Sequence, residues 1–157
     1  DAIGHDRIVL MAHSMGSRGV VDALNARSDA ARFRGAIFVA PDIRRDVFRE
    51  NVTMLQQKVT DIVVYMSDHD RALWLSTTVN VSGRLGVAKE FDIDHTTVID
   101  VTPTGINDIS GHLYHMLNPA VIEDLRVLLG TTPNDAERSY HRVPGEMPGF
   151  WQLQPVP

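Results

Sequence analysis

Ser14 follows an unbroken apolar run, Ile8-Val9-Leu10-Met11-Ala12, and His13, with Ala12 two residues before it and Gly16 two after it. A serine where a buried strand turns sharply into a helix, between small residues, is the arrangement that presents a hydroxyl as a nucleophile. The pattern here is A-x-S-x-G, with alanine at the first small position in place of the stricter glycine. The plainer use of Ser14 is as the N-cap of the following helix. A hydroxyl becomes a useful nucleophile only when a base takes its proton and an acid orients that base.

Candidates for both partners follow in the order serine, acid, histidine. Ser67-Asp68-His69-Asp70 ends the third apolar run, and Gly111-His112-Leu113-Tyr114-His115 follows the fourth. Fifty-six residues separate Ser14 from Asp70 and 42 separate Asp70 from His112, room for the intervening strand–helix units. The acid could be Asp70, Asp68 or Asp42, the last lying after the second run. Asp70 could also merely cap a helix, because Ser67-x-x-Asp70 fits a capping box. The base could be His112 or His115. His13 is expected to lie beside the site, and His5, His69, His95 and His141 receive no role.

The elements that must position these groups alternate between strand-like and helical patterns, the signature of βαβ units and a parallel sheet. Apolar runs at Ile8–Ala12, Gly35–Ala40, Ile62–Met66 and Thr97–Val101 read as strands. Helices are expected over Met15–Arg27, with Gly16, Val20, Ala23 and Leu24 on one face, over Ile43–Val59, and over Arg71–Thr77. A final helix begins at Pro119 with Asn118 as its N-cap and Gly130 past its end. Val79–His95 reads as a long, lid-like excursion. Five of the eight prolines fall after Gly130, so residues 131–157 are expected to be an extended, loop-like tail beside a domain of residues 1–130, with Trp151 and Leu153 as its anchors. Open parallel sheets build their sites at the carboxyl ends of strands, where all the candidate residues fall.

The pieces Ala12-His13-Ser14-Met15-Gly16, Ala40-Pro41-Asp42, Asp70-Arg71-Ala72-Leu73 and Gly111-His112 together resemble an uncharacterised bacterial serine-esterase-like family of the α/β-hydrolase superfamily, relatives of lipases and esterases. The resemblance spans about Ile8 to Gly130. It implies an α/β fold, a mostly parallel sheet with helices on both faces. It also implies Ser14 as nucleophile, Asp70 as acid, His112 as base and the Met15 backbone N–H as an oxyanion donor. The implied substrate is a small-molecule or lipid-like carboxylic ester, cleaved through an acyl-serine intermediate. Strands usual before the nucleophile strand are not in this sequence, so the amino-terminal half of the same polypeptide is the expected missing partner. By itself the segment is then expected to expose an apolar strand edge and to lack half of its oxyanion hole, leaving it weakly active and poorly soluble.

Composition narrows the alternatives. The chain has 157 residues, 43% hydrophobic and 22% charged, a globular balance. A net charge of −5 without a Lys/Arg block argues against a nucleic-acid groove. No apolar run is long enough to span a bilayer; no signal-peptide pattern precedes Ile8, and any export signal is expected to lie on the missing amino-terminal side, so no compartment is assigned. Without cysteine there is no thiolate metal site. Asp108, His112 and His115 are the candidate metal cluster, but H-E-x-x-H and the glycine-rich phosphate motifs are absent, so neither a metal nor another cofactor is expected. Asn51-Val52-Thr53 and Asn80-Val81-Ser82 match the glycosylation pattern and are taken as chance matches. The competing class is a catalytically silent binding or scaffold module on the same fold, which the alanine at position 12 favours and the ordered serine, acid and histidine oppose.

Overall fold

The computed structural model describes residues 4–73, 85–86, 93–105, 110–130 and 140–156. In chain order its main elements are β1 (Val9–His13), α1 (Gly16–Asn25), β2 (Phe33–Val39), α2 (Arg45–Lys58), β3 (Val59–Met66), β4 (Thr97–Asp100), α3 (Tyr114–Leu117), α4 (Pro119–Leu128), β5 (Tyr140–Pro144) and β6 (Phe150–Pro155). The strands form one sheet in the order β1-β2-β3-β4-β6-β5. Every neighbouring pair is parallel except β5 with β6.

The strands at the centre are buried on both faces, and their alternation divides the core in two. Ala36, Phe38, Ile62, Val64, Met66 and Val98 point toward α1 and α2, where they meet Val21, Leu24, Phe48, Val52 and Leu55. Ile37, Val39, Val63, Tyr65 and Ile99 point the other way and meet Val121 and Leu125 of α4. Helices therefore cover both faces, the layered arrangement expected of an α/β chain.

Three sequence expectations shift. The buried stripe of α1 is Ser17, Val21 and Leu24, with Val20 half-buried beside it, one residue round from the expected face, while Gly16 and Ala23 are exposed. A buried serine in the stripe hid the true period. The segment after Gly130, expected to be loop-like, contains β5 and β6, which extend the sheet beyond β4. Two of its prolines sit where a ladder tolerates them: Pro144 and Pro155 each end a strand. Leu153 is buried in the core shared with Tyr65 and Leu125. Most of the Val79–His95 excursion, the end of the Arg71–Thr77 helix, Asp108 and residues 131–139 lie outside the described residues; 71–73 are helical.

The last helix forms as its punctuation implies. Asn118 Oδ1 accepts the Ala120 N–H at 3.0 Å, Pro119 takes the first helical position, and Gly130 follows with φ 77°. A buried polar clip then ties this helix to the terminal hairpin. Arg142 of β5 donates to both carboxylate oxygens of Asp124, at 2.8 and 3.0 Å, and the Tyr65 hydroxyl donates to the same carboxylate at 2.5 Å. Burial and the adjacent carboxylate push the Tyr65 hydroxyl's pKa well above its ordinary value, so it remains a donor. Replacing Arg142 by Ala would leave Asp124 short of its cation, and the cost should reach about 3 kcal/mol, because Arg142 keeps some exposure to water. Urea denaturation at neutral pH checks this; an unchanged midpoint would show that the hairpin does not rely on the clip.

Candidate active site

β1 continues its ladder one residue past its end, where the Ser14 N–H donates to the Val39 carbonyl at 3.1 Å. Ser14 then adopts φ 53°, the left-handed region that residues other than glycine seldom occupy. Its carbonyl accepts the N–H of Ser17 at 3.1 Å and of Asp42 at 3.2 Å, so the chain enters α1 at once. The serine is thus held on a strained strand-to-helix turn by bonds to β2 and to the segment after it. Ala12 is buried beneath the turn. At Gly16, among the described residues, nothing lies within 4 Å of where a Cβ would stand, so crowding does not explain the small residue there.

The expected acid and base are brought together. His112 Nδ1 lies 2.7 Å from Asp70 Oδ2, and the Asp70 side chain is fully buried. A carboxylate only accepts, so Nδ1 carries the proton and Nε2 of the neutral ring presents its lone pair. The other Asp70 oxygen accepts the Leu73 N–H at 2.9 Å. The two readings of Asp70, helix cap and histidine partner, are therefore both realised, one on each oxygen. The capping box is not formed as expected: Ser67 Oγ accepts from the His69 N–H at 3.2 Å, and Asp70 itself caps the turn that follows.

The rivals are placed elsewhere. Asp68 is exposed, and Asp42 lies 3.9 Å from the Arg18 guanidinium. His115 Nδ1 is buried without a hydrogen-bond partner among the described residues. Burial, reinforced by the neighbouring His13 and His112, lowers the His115 pKa to about 4. His13 lies beside the pair, its ring centroid 4.5 Å from that of His112 and 4.3 Å from that of His115. Burial lowers its pKa as well. Among the described residues no cluster of three or more His, Asp or Glu side chains could hold a metal ion, and no helix is long and apolar enough to cross a membrane.

Two residues that carry no chemistry make the pairing possible. Gly111 has φ 65°, and a Cβ there would lie 2.1 Å from the His69 carbonyl oxygen. Next to it the Arg71 N–H donates to the Ser110 carbonyl at 2.9 Å, so the loop carrying His112 runs against the loop carrying Asp70. Tyr114 anchors the other side of His112. Its buried hydroxyl donates to the Tyr65 carbonyl at 2.9 Å and accepts the Ala40 N–H at 2.8 Å, bridging the ends of β2 and β3. The Gly-His pair was a usable signal for Gly111; nothing local marked Tyr114.

Gly111→Ala should cost at least about 1–2 kcal/mol from left-handed strain alone, and should separate His112 from Asp70. Denaturation together with loss of the downfield Nδ1 proton signal in NMR checks both effects. For His115 the folded pKa lies below the ordinary histidine value near 6.5. The unfolded chain then binds the extra proton first, so stability is lost as the pH falls from about 6.5 toward about 4. A His115→Gln variant should show a flatter fall over that window in urea midpoints; an unchanged slope would place the titration elsewhere.

No curated protein and no solved structure matches the chain. Residues 2–131 match the family described as alpha/beta hydrolase of unknown function (DUF900), and with most of its length in that match the chain belongs to this family of α/β hydrolases.

Proposed function

We propose that the protein is a serine hydrolase that cleaves carboxylic esters through an acyl-Ser14 intermediate, with His112 as base and Asp70 as the acid that orients it. The observation carrying this reading is the buried 2.7 Å contact between Asp70 and His112 Nδ1, at the strand ends that also carry the strained Ser14. A histidine needed only for packing has no use for a fully buried carboxylate on one nitrogen. Family membership supports the hydrolase class.

Ser14 Oγ attacks the ester carbonyl carbon while His112 Nε2 takes the hydroxyl proton. Negative charge develops on the carbonyl oxygen and is met by the Met15 backbone N–H at the head of α1, where the helix dipole also favours an anion. The tetrahedral species collapses, the bond to the alkoxy oxygen breaks, and His112 returns its proton to the departing alcohol. Water then attacks the acyl-serine with His112 again as base, which releases the carboxylic acid and restores Ser14. Asp70 holds the Nδ1–H tautomer throughout and offsets the imidazolium charge.

Fluorophosphonate labelling of the full-length protein, with the adduct mapped by mass spectrometry, tests the nucleophile. One adduct on Ser14, absent in Ser14→Ala, is expected; no adduct on a folded protein would overturn the reading in favour of a silent scaffold. Asp70→Asn separates the two uses of Asp70. The amide oxygen can still cap the Leu73 N–H, so folding should be nearly intact, while the wrong partner for Nδ1 should lower kcat on the order of 10³–10⁴-fold. Parental turnover in that variant would place the acid elsewhere.

A further inference from the structure

We propose that His13, the residue immediately before Ser14, is a positioning residue that sets the base against the nucleophile by donating a hydrogen bond to the His112 carbonyl. The inference rests on the serine-hydrolase reading of the Ser14 site.

His13 Nε2 lies 3.2 Å from the His112 carbonyl oxygen. A carbonyl only accepts, so Nε2 carries the hydrogen. The His112 residue is then held on three sides. Its N–H donates to Ser110 Oγ at 3.2 Å within its own loop, its Nδ1 donates to Asp70 beyond β3, and its carbonyl is held by β1. The first bond shapes the loop and the second aims the ring at the acid. The third refers the base to the strand that carries the serine, with one peptide unit between the tether and Ser14. Ninety-nine residues of chain separate His13 from His112, so the sequence connection does nothing to set that distance.

The tether is itself held. The His13 ring packs against those of both His112 and His115. Burial disfavours charge on both His13 and His115, so two neutral rings flank His112 when it takes the serine proton. A cation in either place would oppose that step. Precision here matters to rate, because a misplacement of about 1 Å between reacting groups can cost on the order of 100-fold.

Two substitutions separate the hydrogen bond from simple packing. His13→Gln keeps an N–H donor of similar reach and loses the ring; His13→Phe keeps a ring and loses the donor. With a p-nitrophenyl ester as substrate, His13→Phe should lower kcat by about 10- to 100-fold with KM little changed, and His13→Gln should recover most of that loss. Equal damage in both variants, or none in His13→Phe, would overturn the proposal. The downfield Nδ1 proton of His112 supplies a readout that needs no turnover: it should persist in His13→Gln and broaden by exchange in His13→Phe. If the unmodified protein neither labels nor turns over ester, the serine-hydrolase reading fails by itself. The NMR comparison then decides the tether, and an unaltered signal in His13→Phe would overturn it.

Discussion

The site depends on a backbone contact that leaves no room for a side chain. Gly111 faces the His69 carbonyl so closely that a Cβ would overlap it, and this approach brings the loop after β4 onto the loop after β3. The Arg71 N–H bonded to the Ser110 carbonyl locks the two loops. Asp70 and His112 meet because the backbones beside them already touch. A buried carboxylate would otherwise be costly, and the imidazole N–H and the Leu73 N–H together satisfy its two oxygens.

Two of the three non-glycine residues with positive φ among the described residues lie along the same edge. Ser14 at φ 53° and Ala40 at φ 45° both occupy the left-handed region that glycine favours and other residues seldom enter, and each follows directly on a strand. Departures of this kind cost of order 1–3 kcal/mol each and persist only when neighbours over-determine them. The neighbours are visible: Val39, Asp42 and Ser17 hold the backbone of Ser14, and the Tyr65 carbonyl and Tyr114 hydroxyl hold the Ala40 N–H. Tyr114 therefore has a wider role than filling the core. It joins the ends of β2 and β3 to the segment that follows His112, so the turn after His112 is indexed to the strand ends beside Ser14 and Asp70.

The three clustered imidazoles have different surroundings and different chemistry. His112 has a carboxylate, His13 a carbonyl, and the buried Nδ1 of His115 has no hydrogen-bond partner among the described residues. Burial holds His13 and His115 away from the charged form. Three identical side chains packed together are thus distinguished by their partners, His112 alone facing a carboxylate among the described residues.

The alternation of strands and helices through residue 130 was legible in the residues, because burial on both faces of a parallel sheet demands continuous β-branched runs such as Ile62–Met66. The Asn118-Pro119 start of α4 was legible for the same kind of reason, since capping chemistry is local. So was the order of Ser14, Asp70 and His112 at strand ends. The strands β5 and β6 were not, because prolines at strand ends look like a coil until an edge such as β4 offers them hydrogen bonds. Nor was the choice among acids and histidines. Asp42, Asp68 and Asp70 all sit in loops at the same end of the sheet, and only the approach of Gly111 to His69 selects Asp70 for His112. Residue types and their order are properties of the chain, whereas a 2.7 Å contact across 42 residues is decided by how the sheet and its loops pack.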